Sequence, residues 1–191
     1  MTEDRVTENP VTENPVAEDP AAEDPAAEDP VTEDPVAEDP AAEDPVAEDQ
    51  QVVDSPRGWV NRHIRRYVAT AGEDGHEWRP GVPTLLLTTR GRRSGKLRRT
   101  ALIYGRDGDD YVVVGSNGGS PRHPAWYQNL EADPTVHVQV GGEEFDARAR
   151  TATGQERARL WPRLAEIWPD YDSYQAGTDR EIPVVVLTRA T

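Results

Sequence analysis

Three runs decide the fold: Pro83-Thr84-Leu85-Leu86-Leu87-Thr88-Thr89, Arg98-Arg99-Thr100-Ala101-Leu102-Ile103-Tyr104-Gly105, and Asp110-Tyr111-Val112-Val113-Val114-Gly115-Ser116. Val, Leu, Ile, Thr and Tyr dominate them, as the pleated surface of a strand prefers. Between the first two stands Arg90-Gly91-Arg92-Arg93-Ser94-Gly95-Lys96-Leu97. Between the last two stands Arg106-Asp107-Gly108-Asp109. The second connector is short and has Gly where a hairpin needs an unusual backbone. Consecutive antiparallel strands are therefore predicted.

Working outward, 135–140, 143–152 and 182–188 read as three further strands, the first two joined by Gly141-Gly142. Two helices interrupt the series. One is short, over 124–132. The other covers 153–168, opens with Thr153 and Glu156 spaced as a capping box, and carries Pro162 at what reads as an early position. Upstream, Ser55-Pro56 reads as an N-cap and first helical residue. Trp59, Val60, His63, Ile64, Tyr67 and Val68 recur behind it at helical spacing, with Arg57, Arg62, Arg65 and Arg66 filling the remainder. This 56–70 helix either packs one face on the sheet or lies on an anionic membrane surface. The fold class is mostly β (α+β): about six antiparallel strands in a small closed or split barrel with flanking helices.

The charge is not shared evenly. Of 36 Asp and Glu, 18 lie in residues 1–49 against one basic residue, Arg5, so the net charge of −15 belongs to this end. Residues 6–50 are nine pentads ending in Pro or, last, Gln50. A proline every fifth residue breaks helices, and Val and Ala alone cannot offset the entropy of ordering. Residues 1–53 are expected to form a disordered acidic tail, and 54–191 one domain. The tail reads as a solubilising spacer or as an electrostatic competitor for the basic residues of 90–99. With no cysteine and four scattered histidines, no disulfide, thiolate site or metal centre is expected. No apolar run approaches the roughly 20 residues of a bilayer span, and no signal pattern opens the chain. A cytoplasmic protein is expected, with the 56–70 helix the one segment suited to the inner face of the plasma membrane.

Three stretches suit chemistry. Residues 90–99 hold six basic side chains and no acid on a Gly-containing loop. Guanidinium forks and loop N–H groups together suit phosphate or carboxylate, although a basic hairpin also suits nucleic acid. The Gly and Lys spacing is not that of a Walker loop. Next, Gly115-Ser116-Asn117-Gly118-Gly119-Ser120 leads into a helix starting near Pro124. Small residues let a flat ring approach backbone N–H groups there, and the helix start adds a positive dipole end. His123 reads as an exposed hydrogen-bonding residue. Third, Trp168, Tyr171 and Tyr174 form either core or an apolar pocket wall.

In this order, the stretches resemble the actinobacterial family of deazaflavin (coenzyme F420)-dependent nitroreductases. The carriers are residues 86–96, Ser116-Asn117-Gly118-Gly119, His123-Pro124-Ala125-Trp126-Tyr127-Gln128-Asn129-Leu130, Ala132-Asp133-Pro134, and Thr178-Asp179-Arg180-Glu181-Ile182-Pro183-Val184. The resemblance implies a split β-barrel like those that bind FMN, with reduced F420 in place of FMN as cofactor. It implies that Arg92, Arg93, Ser94 and Arg98 hold the coenzyme's phosphate and oligoglutamate. Gly115, Ser116, Asn117, Pro124, Ala125 and Trp126 would cradle its ring. Ile103, Trp168, Tyr171 and Tyr174 would line the acceptor pocket, and Ser116, Tyr171 or Tyr174 would donate a proton. The implied activity passes hydride to a small quinone, enone or nitro acceptor, in a monomer or homodimer without nucleic acid. A non-enzymatic F420 or flavin carrier and a nucleic-acid module are the alternatives. Ile103 and Trp168 stand where nitroreductase members carry tyrosine, which argues against bicyclic nitroimidazoles as substrates. Leu97 replaces a frequent proline.

Overall fold

The computed structural model describes residues 51–191; the acidic repeat expected to be a disordered tail lies outside them. Among the described residues there are eight strands: β1 (Val53–Asp54), β2 (Glu77–Arg79), β3 (Val82–Arg90), β4 (Leu97–Asp107), β5 (Asp110–Val114), β6 (Thr135–Val140), β7 (Glu143–Ala152) and β8 (Val184–Arg189). Four helices accompany them: α1 (Gly58–Ala69), α2 (Ala125–Ala132), α3 (Gly154–Ile167) and α4 (Asp170–Ala176).

The sheet order is β1-β4-β5-β8-β7-β6-β3-β2, and an additional β3–β4 pairing joins it to itself. Strands β3, β4, β5, β8, β7 and β6 therefore form a closed antiparallel barrel with no free edge among them. The six strands expected from sequence are these six. The two short strands lie outside the ring, β2 on β3 and β1 parallel on β4, where Val53 pairs with Arg98. Val53, on the tail side of the boundary read from sequence, is thus part of the barrel's margin.

Alternation along each strand sorts the side chains. Leu85, Leu87, Tyr104, Val113, Val138, Phe145, Val185 and Leu187 fill the barrel interior. The outward-facing set is also largely covered. Leu86 packs against Val60, Ile64 and Tyr67 of α1. Val112, Val114, Val184 and Val186 pack against Leu160 and Leu164 of α3 and Tyr171 of α4. Burial on both faces explains why β3 and β8 read as continuous apolar runs. Gly105 of β4 lets α3 close in, because a Cβ there would meet Leu164 Cδ2 at 3.0 Å. Both tight turns form as expected: Asp107 pairs with Asp110 across Gly108, and Val140 with Glu143 across Gly141, with φ of 62° and 59° at the two glycines.

Helix starts depart from the sequence reading. α1 begins at Gly58 rather than Pro56. Ser55 N donates to Arg99 O (2.9 Å), which commits that residue to the β1–β4 edge instead of a cap. The Thr153–Glu156 capping box is absent as well, for Thr153 makes no side-chain cap bond. Glu156 is instead gripped by both Arg150 Nη atoms at 2.6 and 2.7 Å, a bidentate charge-assisted pair stronger than a neutral cap. Pro162 is ninth of fourteen in α3, not early. α4 was not expected: the aromatics at 168–174 occupy a helix of their own.

Candidate active site

The basic loop is the turn between β3 and β4. Gly91 N donates to Lys96 O (2.8 Å) and Gly95 N to Gly91 O (2.7 Å), with Gly95 at φ 67°. Gly91 is buried, and a Cβ there would meet Ser94 Oγ at 2.8 Å. Arg92, Arg93, Ser94 and Arg98 are all exposed. Two arginines at the loop's base have carboxylate partners: Arg90 faces Asp133 and Arg99 faces Asp54. Among the described residues no carboxylate pairs with the side chains of Arg92, Arg93, Lys96 or Arg98. A run of exposed, uncompensated cations raises the local positive potential and attracts an anion.

One residue ties this loop to the second stretch. Asn129 of α2 is 5% exposed; its Oδ1 accepts from Arg92 N (3.2 Å) and its Nδ2 donates to Thr89 Oγ1 (3.1 Å). The anion loop and the helix that follows the small-residue loop are therefore one assembly. Sequence reading quoted Asn129 but gave it no role. Its signal was a polar residue on the same helical face as Trp126 and Leu130, the inward side.

The small-residue loop leaves β5 at Gly115, whose hypothetical Cβ would meet Pro183 Cγ at 2.7 Å. Ser116 is right-handed helical (φ −68°, ψ −42°), and Asn117, Gly118 and Gly119 follow at φ 47°, 60° and 76°. Asn117 Oδ1 accepts from Arg57 (3.2 Å) and its Nδ2 donates to Arg122 O (3.1 Å). Asn tolerates the left-handed region better than other residues with a Cβ. Pro124 is the extended N-cap of α2, which carries Ala125 and Trp126. Gly119 lies against α4, where a Cβ would meet Tyr174 O at 3.1 Å. The structure thus brings Gly119, at the end of this turn, against Tyr174. Arg180 reaches across from the segment between α4 and β8 to bond this loop at several points.

Among the aromatics, Tyr171 is 5% exposed and belongs to the cluster under α3 and α4. Burial pushes its phenol well above the usual range, the neighbouring Tyr174 adding to the effect. Trp168 and Tyr174 are half-buried against the same cluster, and the Arg79 guanidinium lies 5.3 Å over the Trp168 ring. Ile103 is on the outward face of β4, between Ala101 under α1 and Gly105 under α3. Tyr104 next to it points into the barrel, 3.4 Å from His76 Nε2, so it cannot replace a hydroxyl on the outer face. Sequence reading missed Trp78, which packs on Trp59 at 5.0 Å and on His63 at 5.4 Å.

The two clefts on the outer face of β3 and β6, around Thr88, Leu97 and His137, include none of the expected site residues. No group of His, Cys, Asp and Glu among the described residues could hold a metal. The chemistry on offer is anion binding beside a backbone cradle and an aromatic wall. That fits a flat cofactor with an anionic tail.

Comparison with known proteins agrees. The profile of the F420H(2)-dependent quinone reductase family matches residues 59–189. An F420H(2)-dependent quinone reductase of Mycobacterium tuberculosis (strain H37Rv) is 41% identical over 143 residues, covering 69% of this chain and 96% of the relative. The solved structure of an F420-H2 dependent reductase shares 43% identity at a TM-score of 0.52, over 55% of this chain and 93% of that one. A second, described as a domain-swapped dimer, shares 39% identity at 0.55, over 70% and 99%. From these matches and the split-barrel site, the chain is a member of the F420H(2)-dependent quinone reductases, with reduced coenzyme F420 as its cofactor.

Proposed function

We propose that the barrel of residues 54–191 reduces a small quinone, and that enone or nitro compounds are secondary acceptors. The bound coenzyme supplies the hydride. The observation that carries the reading is the joint frame of loop 91–98 and α2, held by Asn129 with the loop's cations uncompensated. In it, Arg92, Arg93, Ser94 and Arg98 hold the anionic tail, and Gly115, Ser116, Asn117, Pro124, Ala125 and Trp126 receive the ring. FMN, which lacks the oligoglutamate, would leave part of the cation run unused.

Ile103, Trp168, Tyr171 and Tyr174 wall the acceptor and keep water from it. A quinone oxygen gains charge as hydride arrives, and Ser116 or Tyr174 gives it a hydrogen bond or proton. Tyr171, deeper and holding its proton more tightly, serves through its hydroxyl dipole. The supporting contact is the loop–α4 junction at Gly119 and Tyr174. The test is fluorescence titration with F420, FMN and NADPH, then turnover of menadione and a nitroimidazole. Multiple turnovers of menadione with reduced F420 are expected. Tight binding without turnover would make the protein a carrier, and salt-sensitive nucleic-acid binding without F420 affinity would sink both readings.

A specific observation favours peripheral contact with the inner face of the plasma membrane. Trp59, Val68 and Trp78 are 45%, 41% and 37% exposed, beside Arg62 and Arg65 on α1. Apolar rings flanked by cations suit an anionic lipid interface, and a quinone would be met there. No helix of the described residues is long and apolar enough to cross a membrane. Co-flotation with anionic but not neutral vesicles is expected. The acidic repeat serves as a spacer, and the protein is a monomer or homodimer, to be read by light scattering.

A further inference from the structure

Arg180 stands in the short segment between α4 and β8, and its own backbone is fixed. Gln175 Nε2 donates to Arg180 O (2.9 Å), and Ile182 N donates to Gln175 Oε1 (2.9 Å). Arg157 donates to Ile182 O from Nη2 at 3.0 Å. From this anchored base the Arg180 side chain reaches only one segment. Nε donates to Ser120 O (2.7 Å), Nη1 to Gly115 O (3.2 Å), and Nη2 to Ser116 O. Nη1 also lies 3.4 Å from His123 Nδ1.

Two features separate this arginine from a routine structural one. Among the described residues no carboxylate pairs with it, and burial lowers the pKa of its guanidinium. A half-buried, unneutralised cation costs more than a neutral donor would to brace a loop. Second, its partners fix the direction of the peptides. In a trans peptide the C=O and N–H point opposite ways. With Gly115 O and Ser116 O turned toward Arg180, the N–H groups of Ser116 and Asn117 turn away from it. Neither they nor Gly118 N–H donates to any described group. The backbone passes from right-handed at Ser116 to left-handed at Asn117 and Gly118, a sequence of conformations that gathers successive N–H groups into an anion-binding concavity.

We infer that Arg180 is a positioning residue: it holds the carbonyls of Gly115, Ser116 and Ser120 so that the Ser116 and Asn117 N–H groups face the ring's oxygens. This rests on the reading that the deazaflavin lies against the 115–119 loop. The cation behind the two amides also favours negative charge in front of them, so it favours electron-rich ring oxygens without touching them. Ordinary loop bracing needs only the hydrogen bonds; positioning needs the planar fork that reaches three carbonyls at once. Lysine has the charge and lacks the fork.

The test uses the full chain, with oxidised F420 titrated by fluorescence and amide exchange followed over 115–123. Arg180→Lys and Arg180→Ala are compared with the wild type, the latter with and without sub-denaturing guanidinium chloride. Expected are an F420 affinity roughly tenfold or more weaker in both variants, faster exchange confined to this loop, and partial recovery of the alanine variant by guanidinium. Exchange reports the loop independently of turnover. If Arg180→Ala does not fold, Arg180→Lys still decides, since wild-type affinity and loop protection in it would overturn the inference. Failure of the wild type itself to bind F420 is a different result: it removes the cofactor reading, and this proposal with it.

Discussion

The turn at 91–98 and the loop at 115–124 are proposed to hold the same ligand, and by opposite means. The first presents side chains: Arg92, Arg93 and Arg98 are exposed and carry charge that no described carboxylate cancels. The second presents backbone: its side chains are small, its φ angles unusual, and Arg180, Arg57 and Pro183 hold it from behind. A charge-based grip tolerates loose geometry and fails in salt; a backbone cradle needs accurate geometry and ignores salt. The difference teaches that the two halves of one site should break in different ways.

The largest effect should come from filling the cradle. A Cβ at Gly115 would meet the Pro183 ring at 2.7 Å, and valine adds two methyls more. Overpacking of this kind costs about 1–3 kcal/mol, a fall in melting temperature of roughly 3–10 °C for a domain of this size. Gly115→Val should therefore lower thermal stability and abolish F420 binding at every ionic strength; binding that returned in low salt would show the cradle to be electrostatic after all. Next is the charge grip. Arg92→Ala with Arg93→Ala should weaken F420 binding about 10–100-fold at low salt, since two solvent-screened charge-assisted bonds together contribute about 1.4–2.8 kcal/mol. The loss should shrink near 1 M salt, with the melting temperature unchanged. Asn129→Ala removes the strut between the halves and leaves Arg92 N and Thr89 Oγ1 without their partner. A cost of about 1–3 kcal/mol in stability is expected, with a loss of F420 affinity that is not additive with the Arg92 change.

The contrast also explains what could be read from the sequence. The charge grip was legible because its chemistry is carried by side chains close together in sequence, Arg92, Arg93 and Arg98, in a hairpin whose flanking strands announce themselves by composition. The six barrel strands were legible for the same reason. The cradle was legible only as a glycine-rich gap before Pro124, and its resemblance to a family supplied the rest. What holds it was not: Arg180 and Pro183 lie roughly sixty residues on, and no local pattern says that a guanidinium will turn two peptides. The capping box at Thr153 failed because Arg150, on the strand before, competed for Glu156 and won. α4 follows directly on Pro169 at its N-cap, where proline costs a helix little.

The smallest effect lies outside both loops and serves to show that they are separable from the scaffold. His63 of α1 is 4% exposed, with Nε2 3.3 Å from Thr84 Oγ1 and Nδ1 buried without a partner. Thr84 Oγ1 donates to Gly75 O at 2.8 Å, which leaves its lone pairs to accept from His63 Nε2–H and makes Nδ1 the unprotonated nitrogen. Burial first, and Arg66 second, lower the pKa of His63 below its ordinary 6.5, with Asp74 opposing. The folded state therefore resists the proton that the unfolded chain accepts. The stability this gives is complete above about 6.5, the unfolded value, and is lost as pH falls toward the lower folded value. Melting temperature should drop modestly between pH 7 and pH 5 in the wild type and less in His63→Gln, which keeps the donor to Thr84 and cannot titrate. F420 affinity, read as divided between an arginine grip and a backbone cradle that make no hydrogen bond to His63, should not follow that difference. If it does, α1 and the site are coupled, and the division into two independent halves gives way to three.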